Sequence, residues 1–137
     1  MFTLSKLENG LTVTFSAAFE GIDRVCEETK QFMSENGFGN LHFDVILGVR
    51  EALTNAVRHG SKMDANKTIF FSIIADPKLL RILVTDSGSG FDWRAAERKT
   101  VCDTAPHGRG IGIIKQYFDT IHFNEVGNTV ELIKSLK

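Results

Sequence analysis

Apolar and polar positions alternate near the two ends of the chain and recur at three- and four-residue spacing between them. Leu11, Val13 and Phe15 alternate with Thr12 and Thr14, which predicts a half-buried strand, and the segment up to about Leu7 predicts a partner for it. Asn9-Gly10 between them is a hairpin signal. From about Phe19 to Glu35 the apolar residues Ile22, Val25, Cys26, Phe32 and Met33 follow a helical period that Asn36-Gly37 closes. A second helix is predicted from about Leu41 to His59, with Val45, Ile46, Val49, Leu53, Ala56 and Val57 on its apolar side and Gly60 at its end. Two dense apolar runs follow, Thr68 to Ala75 and Leu79 to Thr85, separated by Asp76-Pro77-Lys78, as suits antiparallel strands joined by a turn. Asp86 to Ala105 is glycine-rich and then polar, Gly108 to Phe118 reads as a third helix, and strands at about Ile121–Glu125 and Thr129–Ile133 turn at Gly127-Asn128. This order predicts an α+β fold in a single domain over residues 1–137, a two-layer α/β sandwich with helices on one face of a mixed, mostly antiparallel sheet.

Composition narrows the class without naming a function. A chain of 137 residues can bury roughly two-thirds of its unfolded surface in one core. With 42% hydrophobic and 24% charged residues and two prolines, it is neither collagen-like nor disordered. A formal charge of -1 provides no broad basic field, so nucleic acid is not the expected partner. Cys26 and Cys102 are too few for a disulfide framework and lack the paired spacing of a zinc site, which fits a reducing, cytoplasmic setting. No apolar run approaches the roughly 20 residues that span a bilayer, so neither export nor membrane insertion is expected.

The candidate chemistry lies in two glycine clusters and one helix. Five of the twelve glycines fall between positions 88 and 112, in Asp86-Ser-Gly88-Ser-Gly90-Phe91 and Gly108-Arg-Gly110-Ile-Gly112. Glycine lets a backbone approach a ligand closely, and the second cluster opens a predicted helix, whose free N–H groups favour an anion such as phosphate. Ordinary turns are the plainer reading of each cluster alone. Neither cluster matches G-x-x-x-x-G-K-S/T or a G-x-G-x-x-G inside a βαβ unit, so a bound nucleotide requires another architecture. On the second helix Glu51, Asn55 and His59 are spaced by four and form a polar stripe with Asp44, Gly48 and Arg58. A solvated face is one reading of that stripe. The other is chemical, since a carboxylate able to act as base stands one turn from an amide oxygen able to ligate Mg²⁺. His59, at the helix end, fits equally a dipole partner or a packed residue.

In sequence order, Glu51-Ala-Leu-Thr-Asn55-Ala-Val-Arg-His59-Gly60, Asp86-Ser-Gly88-Ser-Gly90-Phe91, Gly108-Arg-Gly110-Ile111-Gly112-Ile113 and Gly127-Asn-Thr-Val130-Glu-Leu132 resemble four boxes of the GHKL, or Bergerat-fold, ATPases. The E-A-x-x-N-A-x-x-H-G helix looks most like that of the bacterial anti-sigma factor serine/threonine kinases. The resemblance implies ATP and Mg²⁺ as cofactors, Asn55 as the metal ligand and Glu51 as general base on a substrate hydroxyl. It implies that Asp86 accepts a hydrogen bond from the adenine amino group, that Gly88 and Gly90 lie against the base and sugar, and that Gly108, Arg109, Gly110 and Gly112 wrap the phosphates. Arg58, His59, Ile111 and Thr129 complete the implied nucleotide-binding set, and Asp92 to His107 corresponds to a lid. Three positions depart from the pattern: Asn128 stands where many relatives carry the threonine after the glycine, Pro106-His107 precedes Gly108 where an acidic residue is common, and Gly112 follows Ile111 where many have a larger residue. Trp93 and Cys102 are read as packing and incidental, and Phe32 and Met33 as core.

The function so implied is a protein kinase that phosphorylates a small antagonist protein and sequesters a sigma factor, with homodimerisation as a family trait. The alternative is a catalytically weak, ATP- or ADP-gated binding module. A histidine-kinase catalytic fragment is disfavoured because 137 residues leave no room for a separate dimerisation helix pair.

Overall fold

The computed structural model describes residues 1–62, 64–88, 114–125 and 128–136. Six strands, β1 (Phe2–Leu7), β2 (Gly10–Ser16), β3 (Thr68–Ala75), β4 (Leu79–Asp86), β5 (Thr120–Phe123) and β6 (Thr129–Ser135), form one sheet in the order β1-β2-β3-β4-β6-β5. Two helices, α1 (Phe19–Glu35) and α2 (His42–Asn55), separate β2 from β3. The layers follow from a strict alternation. Leu11, Val13 and Phe15 on β2, Ile69, Phe71 and Ile73 on β3, and Leu80, Ile82 and Val84 on β4 are all buried under the helices. Between them Thr12, Thr14, Phe70, Arg81 and Leu83 point to the other face, where Phe70 is exposed. Among the described elements the helices contact the sheet through β2 and β4.

All five strand pairings among the described residues are antiparallel, in line with the mostly antiparallel sheet expected from the sequence. Topology supplies the reason. β5 runs in the same direction as β4, but the hairpin return of β6 lies between them and removes the one parallel contact the order could have made. At the first hairpin Leu7 pairs with Gly10, so the two-residue loop is Glu8-Asn9 rather than Asn9-Gly10. A slip of one residue would turn Leu11, Val13 and Phe15 outward, so the core fixes the register that the turn dipeptide left open.

Helix α1 buries Ile22, Val25, Cys26, Thr29, Phe32 and Met33, and the buried Thr29 hydroxyl is satisfied by donating to the Val25 carbonyl at 2.8 Å. Burial raises the Cys26 thiol above its ordinary pKa, so that side chain packs as a small apolar group. The helix ends where Gly37 takes φ +83° and the Phe38 N–H reaches back to the Met33 carbonyl at 2.8 Å. An Arg50–Asp23 ion pair at 2.8 Å joins α2 to α1 on the surface. The second predicted helix is resolved into three pieces: a short 3-10 turn at Gly39–Leu41, α2 itself, and a π turn at Ala56–Gly60 in which the Ser61 N–H bonds the Ala56 carbonyl at 2.8 Å. A period count cannot detect this, because one extra residue in the last turn leaves Ala56 and Val57 still buried. Of the predicted third helix, residues 114–117 are helical, and Ile114 and the following Phe118 are buried against α2 and the sheet.

Candidate functional site

The end of α2, the ends of β4 and β6, and the helical residues 114–117 surround a narrow cleft. Each element contributes for a local reason. Helix α2 and its π turn present Ala52, Asn55 and Ala56, the small alanines leaving space beside the amide. β4 presents Val84 and then Asp86, because the alternation that buries Leu80, Ile82 and Val84 carries the next inward position to the strand's last residue. Ile114, Phe123 and Val130 close the cleft with apolar surface, and Asn128 and Thr129 stand at the start of β6. A mostly apolar slot with a few convergent polar groups is the usual make-up of a small-ligand site.

Asp86 is the one carboxylate among the described residues that line the cleft and is 6% exposed. Its Oδ1 accepts the Gly88 N–H at 2.8 Å, while Oδ2 has no hydrogen-bond partner among the described residues. Burial raises its pKa above the usual carboxylate value, with the Gly88 N–H and the charge of Lys67 opposing the shift. The turn that follows is tied to the β5–β6 connection. The Asp86 N–H donates to the Asn128 carbonyl at 2.9 Å, and Asn128 Nδ2 donates to the Gly88 carbonyl at 3.3 Å. Asn128 Oδ1 accepts from Asn124 Nδ2 at 2.6 Å, and Asn124 Oδ1 accepts from the backbone N–H groups of Asn128 and Thr129 at 3.0 and 3.2 Å. Thr129 and Thr85 share a hydroxyl bond of 3.1 Å.

The model of the family described as the histidine kinase-like ATPase domain matches residues 15–134. The chain belongs to this family. Among curated relatives of this ATPase-family chain, the anti-sigma F factor of Anoxybacillus flavithermus is 32% identical over 96 residues, covering 64% of the chain and 65% of that protein, a little under two-thirds of its length. The anti-sigma F factors of Bacillus thuringiensis and Bacillus cereus are each 26% identical over 140 residues, covering 97% of the chain and 87% of those proteins.

The family's motif residues that fall within the described part can be located one by one. Asn55, Asp86 and Thr129 line the same cleft, although about thirty residues or more separate each from the next in sequence. Gly88 contributes its N–H to Asp86. Glu51 lies one turn before Asn55, half-buried, and makes no hydrogen bond or ion pair among the described residues. Arg58 is exposed and does not line the cleft: its guanidinium stands 5.8 Å from the Phe19 ring, over the start of α1. His59 lies in the π turn, its side chain outside the description, and Gly90, residues 92–107, which the resemblance matched to a lid, with Trp93 and Cys102, and Gly108, Arg109, Gly110, Ile111 and Gly112 lie outside the described residues.

The polar stripe read on α2 divides by position. Asp44 pairs with Lys134 at 3.6 Å, Gly48 is buried against the Phe118 ring, and Asn55 is the one described side chain of that row that lines the cleft. Sequence reasoning missed Asn124 and the role of Asn128, whose only signal was that Asn128 stood where relatives carry threonine. It also missed Ser61, whose hydroxyl is fully buried without a hydrogen-bond partner among the described residues.

Among the described residues no group of three or more His, Cys, Asp and Glu could by itself hold a metal. That fits Mg²⁺ held through one protein oxygen, because this cation commonly keeps waters and takes its other ligands from substrate phosphates. The Asn55 amide, in the cleft and without a side-chain hydrogen bond among the described residues, is a suitable single ligand. Likewise, among those residues no helix is long and apolar enough to cross a membrane.

Proposed function

We propose that this protein is an ATP-binding serine/threonine protein kinase that acts as an anti-sigma regulator, binding a sigma factor and phosphorylating a small antagonist protein. The observation that carries the reading is Asp86, a buried carboxylate at the end of an apolar slot with one oxygen fixed by Gly88 and the other without a hydrogen-bond partner among the described residues. An adenine ring suits that slot, since its faces are apolar and its amino group is a donor for Oδ2. The names of the anti-sigma F factor relatives supply the sigma-factor half of the proposal.

In this reading Ala52, Val84 and Val130 exclude water from the base, Asp86 fixes its orientation, and the Asn55 amide faces the phosphate end. Bound Mg²⁺ neutralises phosphate charge, which phosphoryl transfer needs more than it needs covalent help from the protein. Glu51, free of any structural ion pair among the described residues, accepts the proton of the incoming serine or threonine hydroxyl.

Calorimetric titration with ATP and ADP, with and without Mg²⁺, tests the binding half. Wild type is expected to bind both nucleotides and Asn55→Ala to lose the Mg²⁺ dependence while still binding. A wild type that binds no adenine nucleotide in excess Mg²⁺ overturns the reading. Incubation with ATP labelled in the γ-phosphate and candidate sigma and antagonist proteins tests the rest, and label on a serine or threonine of the antagonist is the expected result.

A further inference from the structure

β4 pairs with β6 as far as Thr85 and Thr129, and beyond that pair Asp86 keeps Ile69 of β3 on one side but has no ladder partner on the β6 side. Asn128 takes over at that point. Its carbonyl accepts the Asp86 N–H, and its side-chain amide reaches two residues further to the Gly88 carbonyl. Asn124 holds Asn128 in turn, accepting its backbone N–H and donating to its Oδ1. Because Nδ2 must face the Gly88 carbonyl and Oδ1 must face the Asn124 amide donor, the network also fixes which way the Asn128 amide points. One N–H and one lone pair of that amide are committed to protein partners, which sets its orientation toward the turn.

We propose that Asn124 and Asn128 form an amide clamp that holds the Asp86–Gly88 turn, and that through the turn they set the preference for an adenine over a guanine base. The inference rests on the reading of the cleft as an adenine-nucleotide site. The physical argument concerns what Asp86 offers at its free oxygen. Held by the Gly88 N–H, the carboxylate presents an acceptor, which attracts the 6-amino group of adenine and repels the 6-oxo group of guanine. If the turn shifts, the carboxylate can rotate and the Gly88 N–H is released as a donor that a 6-oxo group can use. Discrimination therefore depends on the turn staying where the clamp puts it. The two asparagines are positioning residues, since they act through Asp86 and Gly88 rather than on the base.

The test is titration of wild type, Asn128→Ala, Asn124→Ala and the double variant with ATP and with GTP, both in Mg²⁺. Each single change is expected to weaken ATP about tenfold, the loss of one to two hydrogen bonds to the turn, and to lower the ATP-to-GTP affinity ratio by a similar factor. In the double variant the losses should not add, because both residues act through the same bond to Gly88. Asn124→Asp gives a second, milder variant. It keeps the acceptor for the backbone N–H groups of Asn128 and Thr129 but removes the donor to Asn128 Oδ1, and the same fall in the ratio is expected. Thermal unfolding without nucleotide shows which variants are folded. Folded variants with the ATP-to-GTP ratio of wild type overturn the clamp and leave the ATP site standing, as does a uniform loss for both nucleotides. A wild type that binds no ATP overturns the site and the clamp with it.

Discussion

Asp86 is held in a state that favours binding over stability. A carboxylate whose pKa is raised in the folded protein above its ordinary 3.8 keeps its proton longer when folded than when unfolded. Its contribution to stability is therefore greatest at low pH, declines as pH rises through 3.8 and the folded value, and remains a constant deficit at neutral pH. Asp86→Asn removes that deficit while its amide oxygen can still accept the Gly88 N–H. The variant is expected to melt above wild type at pH 7, with the difference vanishing toward pH 3, as read by thermal unfolding across that range. The same change puts a donor where the adenine amino group needs an acceptor, so ATP affinity should fall at least tenfold for a lost charge-assisted bond of about 1.5–3 kcal/mol. A variant that melts lower than wild type at pH 7 would contradict the burial argument even if binding were lost. Ser61 makes the complementary case. Its buried hydroxyl has no hydrogen-bond partner among the described residues, so Ser61→Ala should stabilise the protein by roughly 1 kcal/mol in denaturant unfolding, since an unsatisfied buried hydroxyl costs about 1–3 kcal/mol. A loss of stability would mean that the hydroxyl has a partner in solution.

Helix α2 reconciles two demands on one surface. Val45, Val49, Ala52 and Leu53 face the core, while Gly48 lets the Phe118 ring lie directly against the helix backbone. A methyl group at Gly48 would overlap that ring. Gly48→Ala gains about 0.5–1 kcal/mol of helix propensity but meets an overpacking cost of about 1–3 kcal/mol, so it should lower the melting temperature. Adding Phe118→Leu, which shortens the intruding ring, should return part of the loss, and a Gly48→Ala protein at least as stable as wild type would show that Phe118 moves aside freely. The helix also marks the limit of what a sequence pattern can specify. The apolar period located α1 at Phe19–Glu35 and the strand pair β3 and β4 almost to the residue, because burial on one face leaves a regular trace. It missed the division of α2 into 3-10, α and π pieces, since all three keep the same side chains inward. It also grouped Gly48 and Arg58 with Asn55, although one packs on Phe118 and the other stands over Phe19, because positions seven before and three after a residue share its helix face only roughly. Asp86 was legible twice, as a motif residue and as the last inward position of an alternating strand. Asn124 was not, because its partners lie in the backbone of a turn and in a side chain whose substitution looked like a departure.

At the scale of the whole molecule, the site exists only when distant parts of the chain are folded together. Asn55 arrives on α2, Asp86 on β4 and Thr129 on β6, and the sheet order β3-β4-β6 sets the last two side by side. A ligand bound there therefore reports on the entire fold, and binding only the folded state raises its stability by mass action. At a hundred times the dissociation constant the gain is about 2.7 kcal/mol, which for a chain of this size is roughly 10 °C in melting temperature. ATP with Mg²⁺ should produce a rise of that order in wild type, and Asn55→Ala should show a smaller rise that no longer depends on Mg²⁺. Glu51→Ala separates binding from chemistry. Glu51 makes no ion pair or hydrogen bond among the described residues and does not line the cleft, so its removal should leave both the melting temperature and the ATP-induced rise unchanged. If Glu51 is the base, the same variant should lose phosphoryl transfer to the antagonist by a factor of about 10²–10⁴, the usual contribution of a positioned proton acceptor. Unchanged transfer in Glu51→Ala would remove it from the catalytic assignment while leaving the nucleotide site intact, and a lost thermal shift would instead make it part of the binding surface.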